Sequence, residues 1–156
     1  MLTFKKLPRV RVKTPFRDIS KNLHDFIKLS KKYGYSDRLV NAFKIALDAE
    51  GEPKSALIKA QGAVLNEEMA SSLKSLSMLC NRLIGFGYAD KIKVDFSVTN
   101  NADYYNGEVF NGYVNGIFHR VLSGGRYDKL INKFGMVGGA VGFALYLGEL
   151  DRFFVK

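Results

Sequence analysis

The fold of this chain is decided by the stretch from Asp95 to Phe154, which contains three informative segments. They read Asp103-Tyr104-Tyr105-Asn106-Gly107, Gly124-Gly125-Arg126-Tyr127-Asp128 and Ala140-Val141-Gly142-Phe143-Ala144-Leu145. Because glycine has no Cβ, a ligand can lie against the main chain at Gly124-Gly125, although a simple turn uses the same residue type. The glycine pair therefore indicates either a ligand-contacting backbone or a turn.

The sequence around these segments alternates in the manner of β-strands. Residues 91–96 alternate charged and apolar side chains and predict a strand that delivers the Asp-Tyr-Tyr loop. Residues 108–114 and 117–122 flank Asn115-Gly116, a strong two-residue turn signal, and predict an antiparallel hairpin. A short helix over 127–134, a strand over 137–143 and a helix over about 144–153 complete the stretch.

The residues before this stretch are mainly helical in pattern. A short edge strand is predicted over 9–13, followed by helices over about 17–33, from Ser36 and Asp37 to before Gly51, and from the cap at Asn66 to Gly85. The segment 54–64 fits a helical turn or a linker. Strands with segregated helices predict an α+β domain with a mainly antiparallel sheet and flanking helices.

Bulk composition sets wide limits on function. The chain has 156 residues, of which 47% are hydrophobic, enough for one core. No apolar run reaches the roughly 20 residues that span a bilayer, and the charged start does not resemble a signal peptide, so we expect a cytoplasmic protein without a membrane partner. Cys80 is the only cysteine, and His24 and His119 lie far apart, which argues against a disulfide or a metal site. No phosphate-loop or dinucleotide-binding pattern is present, so no cofactor is expected.

The net charge of +9 raises the question of nucleic-acid binding. Residues 1–60 carry 14 Lys and Arg against 6 Asp and Glu, whereas residues 61–156 carry 10 against 9. The basic region shows no signature of a known nucleic-acid module. A solvated basic face or a contact for an acidic partner is favoured over RNA binding, which stays open.

The three segments resemble the C-terminal half of the catalytic domain shared by histidyl-tRNA synthetase and its non-catalytic relative, the regulatory subunit of ATP phosphoribosyltransferase. The resemblance is good over about 60 residues and looser back to about residue 60. It implies a partial class II aminoacyl-tRNA synthetase-like fold. We therefore predict a basic, mostly helical N-terminal region over 1–60 and a C-terminal half-domain over 61–156, together forming one compact unit.

In this family, the loop ending in Asp-Tyr-Tyr and the Gly-Gly-Arg-Tyr-Asp segment surround a bound histidine. The resemblance implies that Tyr105 and Tyr127 recognise L-histidine and that Gly124 and Gly125 form the pocket wall, with Asp103 and Tyr104 completing the loop. A phenol can stack on imidazole and hydrogen-bond to its nitrogen or to the ammonium group. The alternative is that these tyrosines serve only in core or hairpin packing.

Two positions depart from the synthetase pattern. Synthetases begin the first loop with an arginine that acts on the carboxylate, where this sequence has Asn100, and they place an ATP-binding arginine where this chain has Glu149. Replacing two cations with an amide and an anion removes attraction for a triphosphate and adds repulsion. Arg152 lies about one helical turn further on, but the family spacing does not favour it as a substitute. No counterpart of the two earlier class II motifs is found, so adenylate formation is not expected.

The resemblance leaves three hypotheses. The first is a non-catalytic regulatory subunit of ATP phosphoribosyltransferase, or a fragment of one, that binds L-histidine for feedback control of the short-form catalytic subunit. The alternatives are a truncated histidyl-tRNA synthetase paralogue and an RNA-binding or interaction module that uses the basic N-terminal region. A partial fold leaves sheet edges uncovered, so self-association into a homo-oligomer is also expected.

Overall fold

The computed structural model describes residues 23–98 and 104–154. The described residues fall into two compact units, a helical unit before residue 99 and a sheet-containing unit from residue 104 onward. The predicted strand over 9–13 and the beginning of the first predicted helix lie outside the described residues. The boundary predicted near residue 60, which was based on charge and resemblance, stays a prediction.

Four helices form the helical unit. They are α1 (Leu23–Tyr33), α2 (Asp37–Asp48), α3 (Pro53–Gln61) and α4 (Glu67–Gly85). The two predicted caps are present: the Ser36 hydroxyl accepts a hydrogen bond from the Leu39 amide at 3.3 Å, and Asn66 Oδ1 accepts one from the Met69 amide at 2.8 Å. The segment 54–64, which the sequence left open as a helical turn or a linker, is helical up to Gln61. Pro53 starts α3, and the Glu52 side chain caps it.

The core of the helical unit consists of small and apolar side chains on the facing sides of these helices. Phe26 stacks on Phe43 with ring centroids 3.9 Å apart. Met69, Leu73, Leu76 and Cys80 recur at helical spacing on α4 and are all buried. Met69 and Cys80 are therefore packing residues of the core, whereas Met78 on the same helix is 55% exposed. No helix in the described ranges has the length and apolar character that a bilayer-spanning segment requires.

The predicted strand over 91–96 is wrong. Within the described residues, only Val94 makes a bridge, exchanging two backbone hydrogen bonds of 2.9 Å with Gly51. The Lys91 amide instead donates to the Tyr88 carbonyl in a turn. An alternating sequence becomes a strand only where a partner strand extends the ladder, and here the pairing stops after one residue.

The sheet-containing unit holds a three-stranded antiparallel sheet with the order β1-β2-β3. Its elements are β1 (Val109–Gly112), β2 (Leu122–Arg126), α5 (Asp128–Lys133), β3 (Val141–Leu145) and α6 (Leu147–Phe154). These elements confirm the predicted α+β class with an antiparallel sheet. Because strand residues alternate between faces, the register divides the sheet into two distinct surfaces.

The prediction of an antiparallel hairpin is correct, but its predicted second arm is wrong. A turn forms around Asn115-Gly116, where the Ile117 amide donates to the Val114 carbonyl and Gly116 has a φ of +90°. The residues that follow do not continue as a strand, and β1 pairs with residues 122–126 instead of 117–122. Packing on the central strand selects this register over the one favoured by the local turn signal.

Candidate functional site

A pair of glycines forms the floor of the candidate site. Gly125 of β2 and Gly142 of β3 are direct partners in the sheet. A Cβ added at Gly125 would lie 2.7 Å from Cδ1 of Tyr105, and one added at Gly142 would lie 2.7 Å from the hydroxyl of Tyr127. Each predicted histidine-recognising tyrosine therefore packs directly against the backbone of one of these paired glycines.

Tyr104 joins the two tyrosines into one cluster. Its ring meets that of Tyr105 edge-on, with centroids 4.7 Å apart and an interplanar angle of 83°. It also lies 5.4 Å from the ring of Tyr127 at an angle of 35°. Tyr104 is 41% exposed, whereas the other two rings are half-buried. We call Tyr104, Tyr105 and Tyr127 the tyrosine cluster. The rings of Tyr105 and Tyr127 pack on the glycines, and the ring of Tyr104 is the most exposed of the three.

The position of Tyr127 is fixed by its neighbours in sequence. The Tyr127 amide donates to the Ala140 carbonyl at 2.8 Å, and Asp128 Oδ1 accepts from the Ala140 amide at 2.8 Å. The other oxygen of Asp128 pairs with Nε of Arg126 at 2.7 Å. The Arg-Tyr-Asp portion of the motif therefore attaches β2 to the start of β3 and holds Tyr127 over Gly142.

The loop bearing Tyr104 and Tyr105 is attached to the same strand. The Asn106 amide donates to the Arg126 carbonyl at 3.0 Å, and Asn106 Oδ1 accepts from the Lys129 amide at 3.3 Å. Gly107 lets the chain pass close to Arg126, because a Cβ there would lie 2.9 Å from Cδ of the arginine. The two motifs, more than fifteen residues apart in sequence, are thus held together.

The surroundings of Tyr105 favour the neutral form of its phenol. Partial burial raises the pKa of Tyr105, the neighbouring Tyr104, Tyr146 and Tyr127 raise it further, and Arg120 acts in the opposite direction. Below its raised pKa, Tyr105 keeps a hydroxyl that can donate a hydrogen bond. The hydrogen bond from the Ala140 amide, followed by that from Arg126, lowers the pKa of Asp128, so this carboxylate is ionised at neutral pH.

Gly124 lies on the opposite face of the sheet from Gly125. A Cβ at Gly124 would meet the carbonyl oxygen of Gly142, Cζ of Phe110 at 2.6 Å and Cβ of Phe143 at 2.7 Å. Both glycines are buried in strand β2, so they do not form a turn. The structure therefore brings Gly125, but not Gly124, against the tyrosine cluster, and the predicted role of Gly124 as pocket wall stays a prediction.

Four residues near the cluster were not identified from the sequence. Tyr146 hydrogen-bonds through its hydroxyl to the hydroxyl of Ser123 at 2.9 Å, and the guanidinium of Arg120 lies 5.6 Å from its ring centroid. Asn111 pairs with Ser123 on the same face of the sheet as Gly125. Among the described residues, its Oδ1 is the buried side-chain oxygen that accepts no hydrogen bond. The sequence signal that accompanies these residues is the run of small residues Ser123-Gly124-Gly125 in β2, followed by Gly142 and Ala144 in β3.

The remaining predicted positions are placed as follows. Asp103 and Asn100 lie outside the described residues. Glu149 lies in the first turn of α6, half-buried, and its amide donates to the Tyr146 carbonyl at 3.1 Å. An acidic side chain in this turn is stabilised by the helix dipole, whereas it would repel a bound phosphate.

The arrangement offers aromatic rings, hydroxyls, a buried amide oxygen without a hydrogen bond and an exposed cation, which are groups that can bind a small polar ligand. In the described ranges, no three His, Cys, Asp or Glu side chains come together in a way that would hold a metal ion.

Comparison with solved structures identifies the class of fold. A structure described as an ATP phosphoribosyltransferase regulatory subunit/histidyl-tRNA synthetase from Bacillus halodurans matches with a TM-score of 0.73 and 28% identity. The match covers 83% of this chain and 34% of that chain. Together with the antiparallel sheet and flanking helices, it defines a partial class II aminoacyl-tRNA synthetase-like fold.

Comparison with protein families gives the particular family. The family model described as histidyl-tRNA synthetase matches residues 19–150, and the chain belongs to this family. A protein from Alkaliphilus metalliredigens, named ATP phosphoribosyltransferase regulatory subunit, is 31% identical over 102 residues, covering 65% of this chain and 26% of that protein. A protein of the same name from Acetivibrio thermocellus is 36% identical over 92 residues, covering 56% of this chain and 22% of that protein. The chain thus spans about a quarter of the length of these relatives.

Proposed function

We propose that this chain is a non-catalytic, L-histidine-binding part of an ATP phosphoribosyltransferase regulatory subunit. The observation that carries the proposal is the tyrosine cluster seated on the Gly125 and Gly142 pair. The names of the similar proteins from Alkaliphilus and Acetivibrio support the regulatory role. In this role the chain works in the cytoplasm and binds a short-form catalytic subunit.

The cluster supplies the groups that a histidine side chain requires. The rings of Tyr105 and Tyr127 lie over bare backbone, and a flat imidazole would stack on these aromatic surfaces once the Tyr104 ring moves away. Tyr104 is the most exposed of the three rings and is the one that would move to admit a ligand. We expect Asp103, in the same loop, to receive the ammonium group.

Two further polar groups would bind the imidazole N–H and the carboxylate of histidine. The Oδ1 atom of Asn111 is buried without a hydrogen bond, which costs about 1–3 kcal/mol unless a ligand or water supplies a donor. An imidazole N–H is such a donor. Arg120, the cation that acts on Tyr105, is exposed and would attract the carboxylate of the bound amino acid.

Charge at the two positions that depart from the synthetase pattern supports a binding role over a synthetase role. The resemblance aligns Asn100 and Glu149 with two synthetase arginines, and Glu149 lies in the first turn of α6 with its negative charge. A carboxylate there repels the phosphates of ATP. Regulation would then work by linkage: histidine binds one state of the complex more tightly and shifts the population toward low transferase activity.

A histidine titration followed by amide shifts in isotope-labelled protein tests this proposal. We expect saturable shifts at Tyr105, Gly125, Tyr127 and Gly142. Removing one hydroxyl in Tyr105→Phe or Tyr127→Phe should weaken binding about threefold to tenfold, the value of one hydrogen bond. Tyr113→Phe is the matched control, because Tyr113 is 55% exposed and belongs to no ring contact of the cluster.

Two results would contradict the proposal. Absence of saturable shifts at millimolar histidine would exclude histidine binding by this chain. Histidine-dependent exchange of pyrophosphate into ATP would instead favour the truncated synthetase, which the family match keeps as the second candidate.

A further inference from the structure

The small residues of the sheet continue beyond the two glycines that carry the tyrosine cluster. Gly125 and Gly142 form one row across the sheet, and the next row on the same face consists of Asn111, Ser123 and Ala144. Neighbouring rows on one face lie about 6.8 Å apart, the rise of two residues. Because Ala144 is exposed, the surface beside the cluster is accessible to a ligand at this second row.

Tyr146 lies at the far end of this small-residue surface. The Tyr146 amide donates to the Val121 carbonyl at 2.8 Å, and these two residues form the third row on the same face of the sheet. The hydroxyl of Tyr146 lies 2.9 Å from the hydroxyl of Ser123, which belongs to the second row. The phenol of Tyr146 therefore extends from its own row toward the tyrosine cluster.

The orientation of Tyr146 is fixed through its backbone and its ring. Its carbonyl accepts from the amides of Glu149 at 3.1 Å and Leu150 at 3.3 Å, which ties it to the first turn of α6. The guanidinium of Arg120 lies 5.6 Å from the ring centroid and makes a cation–π contact. The hydrogen bond at the hydroxyl and the cation at the ring together hold the phenol in this orientation.

The two ends of the surface are close enough to act on each other electrostatically. Burial is the main cause that raises the pKa of Tyr105, and Tyr104 and then Tyr146 raise it further. Arg120 acts on the same pKa in the opposite direction. The space between the Tyr105 ring and the Tyr146 ring is therefore short, which suits a ligand of limited length.

We propose that Tyr146 closes the carboxylate end of the histidine site and thereby selects free histidine over histidine that is extended at its carboxyl group. This inference rests on the proposed function, in which Arg120 attracts the carboxylate of the bound amino acid. Because Arg120 lies on the ring of Tyr146, a group attached to the carboxyl carbon would collide with the phenol. Such a collision discriminates by an unfavourable contact with the wrong ligand. The site would reject peptides, amides and acyl adenylates of histidine.

The dipeptide histidylglycine is a suitable probe of this selection. It keeps the imidazole, the ammonium group and a carboxylate, and it is longer only at the carboxyl end. Amide shifts of the labelled full chain, titrated with L-histidine and with the dipeptide, give two dissociation constants. In the wild type, we expect the dipeptide to bind at least about tenfold more weakly than histidine.

Three variants test whether Tyr146 causes this difference. Tyr146→Ala removes the ring and should bring the ratio of the two dissociation constants close to one. Ser123→Ala keeps the ring but removes the hydroxyl that holds it, so the ratio should fall about threefold, the value of one hydrogen bond. Tyr88→Ala is the matched control, because Tyr88 is 52% exposed and follows α4 in the helical unit, and its ratio should equal that of the wild type. A general loss of stability would weaken both ligands alike and leave the ratio unchanged.

The possible results separate this inference from the proposed function. Equal binding of histidine and dipeptide by the wild type would overturn the inference and leave histidine binding intact. A wild-type ratio that persists in folded Tyr146→Ala and in Ser123→Ala would also overturn it. Absence of binding in both the wild type and Tyr146→Ala would contradict the proposed function and this inference together. Binding by Tyr146→Ala alone would contradict the proposed function but support closure of the site by Tyr146.

Discussion

Replacing Gly125 with alanine tests how tightly the tyrosine cluster packs on the sheet. The added Cβ would lie 2.7 Å from Cδ1 of Tyr105, 2.8 Å from the Glu108 carbonyl oxygen and 2.8 Å from Cγ1 of Val109. Each distance is well inside ordinary van der Waals contact. The Glu108 oxygen is backbone and accepts a hydrogen bond from the Arg126 amide at 2.9 Å, so it cannot retreat without weakening the β1 to β2 connection.

The expected change in the free energy of unfolding follows from two opposing effects. Overpacking of this kind costs about 1–3 kcal/mol. Alanine also stiffens the unfolded chain, which returns about 0.4–1 kcal/mol. Taking the middle of both ranges, we therefore expect Gly125→Ala to lower the free energy of unfolding by about 1.3 kcal/mol and, because Tyr105 must move, to weaken histidine binding as well.

Urea unfolding followed by tyrosine fluorescence measures this change, since the chain has 8 tyrosines and no tryptophan. Gly148→Ala is the matched control: Gly148 lies in α6 with nothing within 4 Å of its added Cβ, so alanine should stabilise the protein by up to about 1 kcal/mol. Equal stability of wild type and Gly125→Ala, or an equal loss in the control, would refute the reasoning.

Three further predictions concern single side chains. Asn66→Ala removes the 2.8 Å cap of α4 and should cost about 1 kcal/mol in urea unfolding, more than Ser36→Ala, whose capping bond is 3.3 Å. Asp128→Ala should lower the melting temperature at neutral pH, where the wild-type carboxylate is ionised. The difference from wild type should disappear in acid, because the wild-type carboxylate becomes protonated once the pH falls below its lowered folded-state pKa. Asp90→Ala, which breaks an exposed ion pair, is its control and should change little. Tyr105 should ionise at higher pH than an ordinary phenol in a spectrophotometric titration against Tyr105→Phe. Stability should accordingly fall as pH rises above about 10, because the unfolded state releases that proton first.

Local sequence rules predicted the helices well. Ser36 and Asn66 were identified as caps because a side-chain oxygen placed before an apolar periodic segment satisfies amides within three residues of itself. Such hydrogen bonds depend only on nearby residues. The buried positions of α4 likewise recur at a spacing that helix geometry alone sets.

The sheet register depended on contacts that sequence patterns do not contain. The alternation over 91–96 resembles that of a strand, yet within the described residues only Val94 finds a partner. The Asn115-Gly116 turn forms, but the pairing of β1 is set by ring packing on Gly124 and Gly125 further along the chain. Local signals could not show which of two possible second arms would pack.

The candidate site was predicted only in part, and the missed residues were missed for a related reason. The resemblance identified Tyr104, Tyr105 and Tyr127, and the structure brings their rings together. It did not identify Gly142, whose importance arises only from its pairing with Gly125. Asn111 was missed because an unsatisfied buried oxygen is a property of the folded surroundings and not of the sequence.

The most direct test of the regulatory claim is the affinity for L-histidine measured with and without a short-form ATP phosphoribosyltransferase catalytic subunit. If histidine regulates the complex through this chain, linkage requires that the catalytic subunit change the histidine affinity by the same factor by which histidine changes affinity for that subunit. We predict such a reciprocal shift, a histidine-dependent fall in transferase rate, and loss of both in Tyr105→Phe combined with Tyr127→Phe. Histidine binding that is unchanged by a bound catalytic subunit, together with an unchanged transferase rate, would contradict the account.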